Sequence, residues 1–354
     1  MLFYQLTLLS GGFGFLLCWY FAFLVLYWIV TAKLTESQMA TDRIVTVIMT
    51  TGAAIVIGLV IFIIVYVFLK AIGHIHWGAL FTKTQKGFEP AEPNALAHVG
   101  IEHAIVGTLE EVGVAAVIGV PIAVATAVFL NEVGGRGTRM VRTVVTAMSG
   151  LPSIVAGLFI YSIFIINHWL SYSGIAASLA LFVLLLPAVT RTTEEVLRVV
   201  PSGLREASAA LGAPEWRTVW SVVLPTARSG VVTAVLLGIA RIVGETAPLL
   251  FTAFGSQIMN ANVFHNPQES LPLEVYTNVR QAQPVLIDLA YQSGFVLISL
   301  VLILFVLARI AGRTRGGKRL KLSSRRKDAR TPVMAAVDSD ILALLGDDDS
   351  RTDI

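Results

Sequence analysis

The chain has 354 residues, of which 55% are hydrophobic and only 14% charged, with a formal net charge of +3 and a mean hydropathy of +0.76. Soluble domains carry about 25% charged residues, so most of this chain must be solvated by lipid. The lone cysteine, Cys18, excludes an internal disulfide and a thiolate zinc cluster; the only Gly-Lys pair, Gly317-Lys318, is followed by Arg319, so the chain has no Walker A loop with which to split ATP itself.

Crossing about 30 Å of hydrocarbon takes about 20 apolar residues. Seven runs qualify: 11–31, 44–72, 101–130, 141–167, 174–190, 227–254 and 285–307. The expected fold is therefore all-α, a polytopic membrane helix bundle. The first run lacks the basic n-region and small-residue cleavage site of a signal peptide and reads as a retained helix. It is entered through Leu9-Ser10-Gly11-Gly12-Phe13, a superficial likeness to an ATP-binding signature; without a Walker A loop, a glycine pair for close helix contact is the better reading. Basic residues lie in the short segments at Arg136, Arg139 and Arg142, after Arg191, and after Arg309. If the spans alternate, these all face one side, which the positive-inside rule makes cytoplasmic and which puts the N-terminus outside. The two long outside segments, 74–100 and 255–284, are rich in Pro and Asn; the second reads either as a dock for an external partner or as a passive connector.

Arg191 closes the fifth run. It is either an arginine reaching for the headgroups or a second cation near the inner mouth of a path. Next comes 204–225, LREASAALGAPEWRTVWSVVLP, a polar, amphipathic stretch between apolar runs. Gly212 can end one short helix at positive φ, and Pro214 can open another, where its missing N–H is no loss. Glu206-Ala207-Ser208, then Gly212, then Val222, Leu224 and Pro225 resemble the cytoplasmic EAA loop of ABC-importer permeases; Ser208 and Val222 depart from its usual residues. The resemblance implies docking on an ATPase, with Arg205 and Glu206 making polar contacts at the rim and Ala207 and Gly212 allowing close approach. An interfacial helix pair lying on the membrane is the plainer alternative.

The sixth run carries Arg241 roughly 15 residues in, about 22 Å along a helix and so near mid-bilayer. An arginine there costs at least about 2.5–3.5 kcal/mol. Glu245 follows at i+4 and is expected to pair with it, while Gly244 and Pro248 predict a kink. The pair either locks helix packing or belongs to an anion path coupled to gating. After the seventh run, ten Lys/Arg lie between Arg309 and Arg330, positioned for the anionic inner leaflet or as a stop-transfer signal, and the chain ends in an acidic segment.

Ala240 to Ala253 (ARIVGETAPLLFTA), Pro152 to Phe159 and Arg191-Thr192-Thr193-Glu194 closely resemble the PstA-type permease subunit of bacterial phosphate ABC importers. The resemblance covers roughly 43–309 and implies a type I importer permease fold. It further implies a heterodimer with a second permease, two copies of a cytoplasmic ATP-binding subunit and an extracytoplasmic phosphate-binding protein. No enzyme activity, cofactor, metal or nucleic-acid partner is implied. The expected organisation is an extra N-terminal helix and linker (1–43), a permease domain (44–311) with its coupling loop at about 192–225, and a tail (312–354). The family's six spans leave the first run as an addition. A permease for another oxyanion would keep the loop and change the path residues; a secondary transporter or channel would have no need of the loop.

Overall fold

The computed structural model describes residues 12–34, 37–73, 75–88 and 95–312. The Leu9–Gly11 part of the signature-like motif, Pro90, Pro93 and Asn94, and the basic and acidic tail lie outside them.

Six helices are long and apolar enough to cross a membrane, or up to seven if one bent pair counts as a span. The first two, α1 (Gly12–Leu34) and α2 (Ser37–Ile72), are apolar on every side. No part of the apolar window of α2 is buried within the chain. Such a helix finds its solvent in lipid. It touches the rest through aromatic pairs, Tyr66 with Tyr291 and Phe68 with Phe295, whose centroids lie 5.9 and 4.6 Å apart. The short α3 (Trp77–Thr82) follows.

The core is built on α4 (Glu102–Val128, prolonged by a π-helical turn, Phe129–Val133) and α7 (Gly174–Arg198). Small residues on α4, among them Ala115 and Ala123, pack against Leu181, Leu185 and Val189 of α7. In lipid there is no hydrophobic drive between helices, so this close backbone approach through small side chains is what holds them. The run expected to cross at 141–167 does not do so as one helix. It is broken into α5 (Arg136–Ser149) and α6 (Ser153–Ile160), which meet at 106°. The break falls at Gly150-Leu151-Pro152, where the residue before proline avoids the helical region and Pro152 starts a new helix.

Two short helices, α8 (Ser202–Ala210) and α9 (Glu215–Thr218), form the expected hinged pair. The second runs on through a π turn, Val219–Val223, into α10 (Leu224–Val243). The expected sixth span, 227–254, is corrected at both ends: the helix is continuous from Glu215 and stops at Val243. A single turn, α11 (Leu249–Thr252), then leads to a loop, α12 (Leu271–Val279) and α13 (Pro284–Gly312).

Candidate functional site

Where α5 gives way to α6, beside α7 and α10, a cavity of about 410 Å³ opens, with Ser149, Leu151, Pro187, Thr192 and Gly238 in its wall together with Arg191 and Arg241. The structure therefore brings two of the sequence-derived path residues to one place. Both guanidinium-bearing residues are exposed on the wall, and neither forms an ion pair among the described residues. No Asp or Glu lines the cavity. Ser149 and Thr192 donate their hydroxyls to carbonyls of their own helices, Val145 and Ala188, at 2.8 and 2.9 Å. The charge in this cavity is that of two arginines, whose planar donors suit a tetrahedral oxyanion.

Arg191 does not close its span: α7 continues for two more turns to Arg198. Arg241 sits in the last turn of α10. Its depth is nonetheless interior, because Gly238, one turn earlier, backs onto Leu185 and Val189 in the middle of α7.

The expected Arg241–Glu245 pair is absent from the described ion pairs. The helix ends at Val243, with Gly244 as its cap, and Glu245 N–H donates to the Ile242 carbonyl in a tight turn, so the i to i+4 register is lost. Glu245 is half-buried and does not line the cavity. Gly244 and Pro248 thus mark a break, not a kink. Pro248 would clash with the carbonyl of residue 244 in a continuous helix, and it instead begins α11. Pro248 also packs tightly on α6, where a Cβ on Gly157 would lie 2.6 Å from the Pro248 Cα.

At the hinge, Gly212 has φ +76°, the left-handed conformation that glycine adopts freely. Ser208 and Thr218 join the two short helices through their hydroxyls at 2.8 Å. Glu206 and Ala207 are exposed. Around them Leu211, Trp216 and Trp220 show 89, 67 and 69% of their surface, an apolar patch in want of a partner. Arg205 is the exception. Its side chain is turned inward, with Nε and Nη2 donating to the two oxygens of Glu132 at 3.0 and 2.9 Å. Leu224 packs beside the buried Leu197, Val223 and Ala227, and Pro225 lies in the first turn of α10. Both residues shape the base of the hinge.

Two further clusters were not anticipated. Glu194, nearly buried on α7, accepts from Arg142 of α5 at 2.7 Å and from Arg198 at 2.6 Å; the i to i+4 spacing to Arg198 was the available signal. Near the start of α4, Glu111, Glu269, Glu274 and His103 are all buried. His103 Nε2 lies 3.5 Å from Glu274, which also accepts from Asn278 at 2.9 Å and from Gln85. Burial first, and then the neighbouring Glu274, push the Glu269 carboxyl well above its ordinary range, only partly offset by backbone N–H groups of Ser256 and Ser270. The segment 255–284 is consequently not a free connector throughout, since Leu271 and Leu273 are buried and α12 packs on α4 and α13.

A helical bundle with several membrane-length spans, a cationic cavity within it and a hinged apolar surface at one end defines a multi-pass membrane protein of the transporter permease class. Residues 119–315 match the family described as binding-protein-dependent transport system inner membrane component, and the chain belongs to that family. It is 49% identical over 181 residues to "Phosphate transport system permease protein PstA 1" of Mycobacterium tuberculosis H37Rv, covering 51% of this chain and 59% of that one. To "Phosphate transport system permease protein PstA" of Haemophilus influenzae Rd it is 36% identical over 243 residues, covering 65% and 85% respectively. The chain thus spans about 60% of the length of the mycobacterial relatives it matches. Among solved structures, the MetNI methionine ABC transporter in an inward-facing form aligns over 60% of this chain and 92% of its own, with 22% identity and a TM-score of 0.46.

Proposed function

We propose that this chain is the transmembrane permease subunit of an ATP-driven phosphate importer of the plasma (inner) membrane. The observation that carries the reading is the pairing of Arg191 and Arg241 in a cavity lined by no carboxylate, in a chain whose relatives are named phosphate transport permeases. A second permease completes the path from the other side, and an extracytoplasmic phosphate-binding protein delivers the anion. Two ATP-binding subunits supply the energy, so the permease itself is not an enzyme. The hinged pair, with Glu206, Ala207 and Gly212 at its surface, faces the cytoplasm and seats in an ATPase cleft, where the exposed Leu211, Trp216 and Trp220 gain a partner. The basic tail shares that cytoplasmic side, against the membrane lipids, and the N-terminus lies outside. The permease domain is 44–311, with 1–43 an added helix and linker.

The test is transport by the complex of both permeases, the ATPase and the binding protein in proteoliposomes. Phosphate uptake that requires ATP and all four components is the expected result. Uptake of sulfate with no uptake of phosphate would assign the path to another oxyanion, and uptake without the ATPase would refute the importer reading.

A further inference from the structure

The exposed surface of the hinged pair accounts for docking, and α9 continues into α10 with its Arg241, but neither explains how movement of the pair reaches α4 and α7. No residue of α8 is buried, so hydrophobic packing does little to fasten this helix to the bundle. Its bond to Thr218 through Ser208 leads through α9 and the π turn into α10, and not to α4 or α7. What hydrogen-bonds α8 to the ends of α4 and α7 is one side chain. Arg205 gives Nε and Nη2 to the two carboxylate oxygens of Glu132, the bidentate fork arrangement that fixes both partners in one plane. The same guanidinium donates from Nη1 to the Val200 carbonyl at 2.8 Å and from Nη2 to the Leu197 carbonyl at 3.0 Å. Those carbonyls lie at and just past the end of α7, where the helix dipole favours a cation.

Glu132 is held ready for this contact. It sits in the π turn Phe129–Val133 that ends α4, a distortion that re-aims side chains and recurs at functional sites. Its side chain is 9% exposed, and Asn131 donates to its Oε1 at 2.6 Å. One arginine therefore joins the end of α4, the end of α7 and the helix between them and the partner surface. Along their length α4 and α7 are packed into a single core, and α7 carries Arg191 six residues before Leu197.

We infer that Glu132 and Arg205 form the joint through which displacement of the hinged pair moves α4 and α7 as one body, and so sets how much anion is moved for each ATP split. Glu132 is a positioning residue: it lies outside the cavity of the two arginines and acts by holding Arg205. The inference rests on the proposed docking of the hinged pair on an ATPase.

The experiment uses the complete reconstituted complex and measures three things: recovery of assembled complex, ATP hydrolysis, and phosphate moved per ATP hydrolysed. Glu132→Gln keeps the shape and removes the charge that orients the fork. Assembly and hydrolysis are expected near wild type, because the exposed surface at Glu206 and Gly212 is untouched, while phosphate per ATP falls by about tenfold, the scale of losing one partly desolvated charged partner. Arg205→Lys keeps the charge but not the fork, and its ratio should lie between those two. The double variant Glu132→Gln/Arg205→Lys should be no worse than the poorer single, since both act on one joint. A wild-type ratio in Glu132→Gln overturns the inference. So does a loss confined to complex recovery, with a normal ratio in what assembles, which would make the pair a structural staple; Arg205→Lys decides the point if Glu132→Gln cannot be assembled. Failure of the docking reading is separately visible, as ATPase binding and hydrolysis that ignore Gly212→Val.

Discussion

Replacing Arg241 by Gln removes one of the two cations in the cavity without emptying the space. At about 4 Å a divalent anion gains about 2 kcal/mol from one guanidinium in water-like surroundings and about 8 kcal/mol at an effective dielectric near 20. Arg241 is exposed on the cavity wall, so water and salt screen it and the lower part of that range applies. A loss of about 2.7 kcal/mol corresponds to about a hundredfold slower uptake. Arg241→Lys keeps the charge but loses the planar pair of donors, and about a tenfold loss is expected. Glu245→Gln is the internal comparison: with Glu245 away from the cavity and unpaired with Arg241, uptake should stay close to wild type. The assay is the initial rate of labelled phosphate uptake in proteoliposomes, normalised to assembled complex. Normal uptake by Arg241→Gln would refute the path assignment. A fall in Glu245→Gln as deep as that in Arg241→Gln would show that the two act as the pair which the helix break separates in this structure.

Gly212→Val should leave membrane insertion intact but weaken ATPase binding and abolish ATP-driven uptake, because a β-branched residue at φ +76° is strained by about 1–2 kcal/mol and must reshape the hinge; normal uptake would defeat the docking reading. The raised Glu269 carboxyl makes stability pH-dependent with a definite sign. Its folded-state value lies above the ordinary 4.5, so its contribution is fully present below that value and is lost as pH rises through the raised one. Glu110, Glu111 and His103 on α4 and Glu274 on α12 share its surroundings, so hydrogen exchange of the 254–279 backbone should quicken with pH beyond its intrinsic rise, and Glu269→Gln should flatten that excess; an unchanged pH profile in the variant would sink the assignment.

Hydropathy located most of the spans because lipid imposes the same requirement on each, a long stretch without polar interruption. It misjudged ends for the same reason. The break between α5 and α6 was written in Gly150 and Pro152 and in the change from an amphipathic α5, with Arg142, Thr143, Thr146 and Ser149, to an apolar α6. At α7 the opposite happened: charges from Arg191 onward looked like the end of a span, yet the helix goes on because Glu194 and Arg198 satisfy each other one turn apart. The hinge was legible because every signal was local: Gly212 for a positive φ, Pro214 for a helix start, and exposed charges at close spacing. The two cations of the cavity were visible one at a time as costly residues in apolar runs. That they share one cavity was not visible, because only the packing of α7 against α10 brings them together.

Contacts made between distant parts of the chain were out of reach for a reason that also bears on function. Arg205 and Glu132 are separated by 73 positions, and each alone has an ordinary explanation, a rim contact for one and a helix-end charge for the other. The resemblance to the EAA loop placed Arg205, with Glu206, at the rim of a contact with an ATPase. In the structure its side chain turns back toward the bundle, so that α8 leaves Glu206 and Ala207 exposed and gives its one arginine to the bundle. A residue so placed is held on several sides, giving its donors to both oxygens of Glu132 and to the Leu197 and Val200 carbonyls. The placement of Glu206 outward and Arg205 inward follows from their adjacency: side chains one residue apart on a helix point about 100° from each other, so a short helix with no buried residue can leave one charge in the open and anchor the next to its own bundle.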